Sequence, residues 1–543
     1  MSERKGLIIG LVIGGLIFVC LCSIAIVAGG AFAFQEYVQD YGDITYDYGS
    51  PALLTPTAHV LETWEATTED FDLADQAFQT LEDEIVPENN PAELAVRLGG
   101  VDFVPETYPD INVPYQIGDQ QDFWITNTDT NDSISVSAVL QYETDHSYFW
   151  IGNGVDYDPD DLEVLAETFE THIYPTNREF FGSEWTPGID EDPHIYILYV
   201  PGVGYNTAGY FSSADSVHPL AHEYSNAHEL FVFNADNSPL NQEYTFGVLS
   251  HEFQHMIHWY RDRNETSWIN EGFSELATML NGFDPGGFDY YFMSTPDYQL
   301  NNWPNNPGAT TANYGASFLF MAYFLDRMGK ETTQALVAHP ENGLQSIDEV
   351  LDEIGATDPQ DDAPLTADDL VLDWALTNYI QDDSVADGRF AYYAYEDPPQ
   401  ASETETVYDC PSGLQPRTVN QFGTDYIRIS CSGDYTLHFQ GGLKSTVVPA
   451  FPYSGDFAFW SNKGDESDMT LTQKFDFTGV EGPLTLSYYT WYDIETDYDY
   501  IYLLSSTDGE HWEILQTPSG TDEDPSGNSF GWGYNGLSGI GSE

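Results

Sequence analysis

The run His251-Glu252-Phe253-Gln254-His255 sets two imidazoles four positions apart with a carboxylate between them. On a helix such positions share one face, so both rings can aim at a single ion while Glu252 stands beside it to take a proton from water. That chemistry is zinc-assisted hydrolysis. Leu249, Phe253, Met256, Ile257 and Tyr260 form a separate apolar stripe at helical spacing. The stripe predicts a helix buried along one face, with the histidine face bordering a cleft.

A catalytic zinc has three protein ligands and one open position. His258 shares the helical face but lies seven positions beyond His251, roughly 10 Å of rise, and reaches the ion only if the helix breaks. No glycine follows His255 to break it, and Arg261 stands where the metzincin pattern needs a histidine. Glu271 follows a polar connection, residues 262–267, that can reverse the chain and lay a second helix beside the first. Its plain alternative is a solvated acid at the positive end of a helix. Glu275, one turn later on the same face, is placed to accept the second imidazole hydrogen of a ligating histidine and so orient the ring.

The motif with its continuation Met256-Ile257, followed by Trp268-Ile269-Asn270-Glu271-Gly272, resembles the gluzincin metallopeptidases and, more closely, the hyicolysin-type and immune inhibitor A-like secreted peptidases. The resemblance is specific over residues 244–330. It implies a zincin-like α+β domain in which His251, His255 and Glu271 hold zinc and Glu252 is the general base of a peptidase. The interval from His255 to Glu271 is shorter than in many gluzincins. Tyr314-Gly315-Ala316 is similar to an element of hyicolysin-like sequences, which implies Tyr314 as a hydrogen-bond donor to a developing oxyanion; an ordinary core tyrosine is the alternative. Trp491-Tyr492-Asp493-Ile494-Glu495, Tyr500-Ile501-Tyr502 and Ser505-Ser506-Thr507-Asp508-Gly509 are similar to the sandwich module appended to immune inhibitor A-like peptidases. Such a module implies contacts with a surface, a carbohydrate or a protein, and calcium as a second ion. Asp465, Asp468, Asp493 and Asp499 are its candidate ligands, with solvated surface acids as the alternative.

The elements that must carry these residues begin with an export signal. Residues 6–34 are apolar and almost uncharged and follow Arg4 and Lys5, so the N-terminus is expected to stay in the cytoplasm while the rest crosses. The run is long enough to span a bilayer, and Ala31-Phe32-Ala33 offers a cleavage site. The chain is therefore expected outside the cytoplasm, either secreted or held by a single span. In that compartment Cys410 and Cys431 are expected to form a disulfide. With 90 acidic against 14 basic residues, the formal net charge of -76 excludes nucleic acid as a partner and leaves protein or peptide substrates.

Length sets several domains rather than one, since 543 residues exceed a single compact core. Residues 35–95 read as a linker or propeptide-like spacer with a helical stretch at 58–85. Residues 96–395 read as the catalytic domain. It opens with strands at 123–125, 133–140, 194–200 and 229–234 and continues with helices at 244–260, 268–280, 314–327, 330–338, 346–354 and 367–380. A small strand-rich unit follows at 396–450 and a β-sandwich at 451–543, which the chain end is expected to truncate. A catalytically inactive, peptidase-like surface binding protein is the rival reading; the intact Glu252 opposes it.

Overall fold

The computed structural model describes residues 68–304, 307–410, 413–442, 447–455 and 457–538. The expected export segment lies outside these residues, and among them no helix is long and apolar enough to cross a membrane. The chain divides after Phe71. The unit described below is Asp72–Glu543; of the other, Met1–Phe71, only the start of helix α1 (Thr68–Asp83) falls among the described residues.

A six-stranded mixed sheet lies at the centre, with β1 (Gln120–Asn127), β2 (Asp132–Glu143), β3 (Ser147–Gly152), β4 (Ile195–Val200), β5 (Gly209–Phe211) and β6 (Leu230–Asn234) in the order β1-β2-β3-β4-β6-β5. β1, β2 and β3 pair antiparallel, β3, β4 and β6 run parallel, and β5 closes one edge antiparallel to β6. Every residue of β3, β4 and β6 is buried, because both faces of these strands are covered. Phe149, Ile151, Ile195, Ile197, Phe231 and Phe233 point into a core shared with the helices. Their alternating neighbours Tyr148, Trp150, Tyr196, Leu198, Leu230 and Val232 form a second core with Phe123, Ile125 and Leu140 of the outer strands.

Helix α2 (Pro91–Arg97) precedes the sheet. α3 (Pro159–Thr168) and α4 (Tyr174–Phe181), joined by a π-turn at Phe169–Ile173, connect β3 to β4. Asp158 caps α3 by accepting from the Asp160 amide, and Pro159 fills the first helical position where its missing N–H costs nothing. The helical half follows the sheet: α5 (Glu243–Arg261), α6 (Ser267–Leu280), α7 (Phe288–Ser294), α8 (Thr311–Leu336), α9 (Gly343–Glu353) and α10 (Ala367–Ile380). α8 is interrupted at Gly329, whose φ of 81° and ψ of 171° leave the helical region, which agrees with two separate helices read on either side of that glycine. The arrangement is mixed α+β, with most helices following the sheet and α3 and α4 inserted between β3 and β4.

Leu249, Phe253, Met256 and Ile257 of the α5 stripe are buried as expected, whereas Tyr260, in the last turn, is exposed. Phe253 is fully buried, stacks on Tyr174 at 5.5 Å and meets Phe169 edge-on at 5.3 Å. Replacing Phe253 with Ala is expected to destabilise the fold by about 3–5 kcal/mol, read as a lower urea midpoint at unchanged slope. Two glycines let the next helices close in. A side chain on Gly272 of α6 would come within 2.8 Å of Met321 Cγ and 2.9 Å of the Ser317 carbonyl oxygen of α8. One on Gly315 would meet the Phe288 carbonyl oxygen of α7 at 2.2 Å.

Beyond α10, β7 (Glu405–Val407) and β8 (Ile427–Ile429) form a parallel pair, and Cys410 and Cys431 are joined by the expected disulfide. Farther on, β9 (Leu504–Ser505) pairs with β10 (Glu513–Ile514), and single bridges link Asp493 to Leu537, Ile501 to Tyr534 and Thr521 to Gly533. The strands expected of a sandwich at 451–543 are largely missing among the described residues: residues 470–472 and 484–488, whose Thr-Leu-Thr and Leu-Thr-Leu-Ser-Tyr runs alternate, are not in strands. Leu484 and Leu486 are exposed, so their alternating apolar positions have no packed face to define them.

Candidate metal centre

α5, packed on β5, and α6, packed on α5, place the predicted side chains together. The turn between them is fixed from inside. Glu265 Oε1 accepts from the Thr266 amide at 2.5 Å, the Thr266 hydroxyl at 2.8 Å and the Gly343 amide at 2.8 Å. Burial pushes the Glu265 carboxyl up to about 7 although these donors resist the shift.

His251, His255 and Glu271 each offer one ligand atom, and the three atoms lie within 4.8 Å of one another. The two Nε2 atoms are 3.0 Å apart, and Glu271 Oε2 lies 3.3 Å from that of His251 and 3.4 Å from that of His255. Four bonds of about 2.0–2.1 Å directed tetrahedrally from one ion span edges of about 3.3–3.4 Å, so the triangle has the right size for zinc. Glu271 Oε2 is buried and has no hydrogen-bond partner. An unsatisfied carboxylate oxygen facing two imidazole nitrogens is costly unless a cation joins them. The donor set, two imidazoles and one carboxylate, also suits zinc.

The groups around this triangle set its charge. Burial resists ionisation of Glu271, yet His255 and His251 outweigh it and hold the carboxyl well below the usual carboxylate range. Burial likewise opposes a charge on His251 and His255. Glu271 and Glu275 together raise the former well above the ordinary imidazole value, and Glu271 chiefly raises the latter. An ion held here would need both imidazoles neutral.

Outer partners orient both rings. Glu275 Oε1 lies 3.3 Å from His251 Nδ1, as its position one turn after Glu271 predicts. His255 Nδ1 is 2.9 Å from Asn270 Oδ1 and 3.1 Å from Ser274 Oγ. Asn270 and Ser274 had no separate role in the sequence reading, because their contact depends on the packing angle of two helices. Asn270 Oδ1 also lies 3.2 Å from Nδ1 of His258. His258 is fully buried and sits outside the ligand triangle, as the helical rise predicts. Burial, with His255 nearby, pushes it down to about 3 and keeps it neutral.

Glu252 is 7% exposed, and its Oε2 accepts from the Phe211 amide of edge strand β5 at 2.8 Å. Tyr314, at the start of α8, donates from its hydroxyl to Glu271 Oε1 at 3.4 Å. Its ring is held by Trp303 at 4.9 Å and Phe288 at 5.2 Å. Burial first, then the charges of Glu271, Glu275 and Glu252, raise the phenol well above its ordinary value, so it stays a donor. Of the candidate calcium ligands, Asp465 and Asp468 are engaged elsewhere, Asp465 with Ser267 and Asp468 with Arg97. Among the described residues the His-His-Glu triangle is the metal-binding arrangement found.

Residues 443–535 match the family model of the immune inhibitor A-like MAM domain. A 262-residue stretch is 25% identical to the neutral metalloprotease ShpI of Staphylococcus hyicus, covering 44% of this chain and 58% of that protein. The match thus spans less than two thirds of the relative. Both sequence matches support the likeness to zinc metallopeptidases of the immune inhibitor A type. Two solved structures of an M1 zinc metallopeptidase from Deinococcus radiodurans, one of them a mutant, are 10% and 11% identical and cover 43% of this chain and 48% of theirs. Their TM-score of 0.26 is too low to carry weight.

Proposed function

We propose that this chain is a zinc-dependent endopeptidase that hydrolyses protein or peptide substrates outside the cytoplasm. The supporting observation is the convergence of His251, His255 and Glu271 on one point, with Glu252 on the same helix as both histidines. When bound, the ion supplies Lewis acidity, making water nucleophilic at neutral pH and polarising the scissile carbonyl. Glu252 takes the proton of the attacking water and passes it to the leaving amine. Its bond to the Phe211 amide fixes the carboxylate between α5 and β5. Glu275 and Asn270 hold the two imidazoles in the orientation that presents Nε2.

Tyr314 donates to the oxyanion that forms as the carbonyl is attacked. Replacing it with Phe is expected to lower kcat by about 10²-fold with KM changed little, because the bond strengthens only in the transition state. Equal losses in a steady-state peptide assay through KM alone would assign Tyr314 to packing instead.

The gluzincin subclass, the domain limits at 96–395, 396–450 and 451–543, a sandwich architecture for the last of these, calcium as a second ion and export through residues 1–34 belong to the same proposal. Its test is digestion of casein by the purified ectodomain, with activity lost to a chelator and restored by zinc. A protein that binds zinc stoichiometrically yet cleaves neither casein nor a peptide library would support the surface-binding reading instead.

A further inference from the structure

Helix α6 carries Glu271, but its own N-cap residue, Thr266, makes no side-chain bond to the helix. The first amides of a helix need an acceptor. Asp465 supplies one from the segment that matches the MAM domain family: its Oδ2 accepts from the Ser267 amide at 2.9 Å and the Ser267 hydroxyl at 2.6 Å, across 198 residues of sequence. The next residue, Glu466, reaches the segment that follows β5. Its Oε1 accepts from the hydroxyl of Ser213, two residues after the end of β5, at 2.8 Å.

The pair is itself held in place. Glu466 Oε2 accepts from the Asn89 side chain at 3.0 Å, and its carbonyl oxygen accepts from the Asn89 amide at 2.7 Å. Ser467 bridges to Glu88, the Asp468 amide donates to the Pro87 carbonyl at 3.0 Å, and Asp468 pairs with Arg97. Adjacent carboxylates on a pinned segment therefore touch two elements that border the site. One element carries Glu271, and the other holds Glu252 through Phe211.

We infer that Asp465 and Glu466 are positioning residues of the metal centre: Asp465 clamps the start of the helix bearing Glu271, and Glu466 clamps the exit of the strand that holds Glu252. The inference rests on the reading of His251, His255 and Glu271 as zinc ligands. Glu271 lies one helical turn after Ser267, so displacement of that first turn carries its carboxylate along. Zinc ligand distances tolerate only about 0.2 Å, so loosening the turn weakens the site before it unfolds the helix.

The test compares the full chain with an Asp465→Ala/Glu466→Ala double variant, measuring zinc affinity by chelator competition and the visible absorption of the cobalt-substituted protein. The double variant is expected to bind zinc about 10–100-fold more weakly, as loss of outer-sphere support does. Its cobalt spectrum should shift, and kcat should fall more than KM. Asp465→Asn keeps an acceptor oxygen for Ser267 and should restore most of the affinity that Asp465→Ala loses. Should the double variant fail to fold, Asp465→Ala and Ser213→Ala, which remove one tether each, are read in the same way. Zinc affinity within about twofold of the parent in these variants, or Asp465→Asn no better than Asp465→Ala, overturns the inference. A parent chain that holds no stoichiometric zinc overturns the metal-site reading instead.

Discussion

Replacing Glu252 with Gln is expected to lower casein hydrolysis by about a thousand-fold or more while zinc content stays at the parent level. The two effects separate because Glu252 is not one of the three residues whose ligand atoms converge. The substitution keeps shape and an acceptor oxygen, so the bond from the Phe211 amide persists and the strand stays docked on α5. What is lost is a carboxylate able to hold a proton between attack and departure. Full activity in this variant would remove Glu252 from the chemistry, and loss of zinc along with activity would make it structural.

Replacing Glu271 with Ala is expected to have the largest effect on metal content. Structural zinc sites gain about 10–16 kcal/mol from four ligands, so one ligand is worth on the order of 3 kcal/mol, about a hundred-fold in affinity. Tyr314 also loses the acceptor of its hydroxyl, which loosens the aromatic wall beside the two imidazoles. Glu275→Gln should weaken binding less, because Glu275 faces Nδ1 of His251 rather than the ligand triangle. Chelator competition on the two variants checks the order; equal losses would place Glu275 among the ligands.

The site was legible in the sequence to the extent that it is local. His251 and His255 are fixed relative to one another by helical geometry, and the apolar stripe at Leu249, Phe253, Met256 and Ile257 states which face is buried. Helices read at 244–260, 268–280 and 367–380 agree with Glu243–Arg261, Ser267–Leu280 and Ala367–Ile380 to within a residue. β3 gave no alternation to read, because Ser147–Gly152 is buried on both faces. β5 has only three residues and is specified by its partner β6 rather than by its own pattern. Glu271 needed the resemblance, since spacing alone leaves it a helix-start acid. Asn270, Glu265 and the Asp465–Glu466 pair could not be found from sequence, because each acts across a turn or across a long stretch of chain.

Zinc analysis of the dialysed protein, set beside a His251→Ala/His255→Ala double variant, tests the metal centre most directly. One zinc per parent chain is expected, with none retained by the variant and casein hydrolysis lost together with the metal. Absence of stoichiometric zinc from the parent, or an equal amount held by the variant, would contradict a centre built on His251, His255 and Glu271.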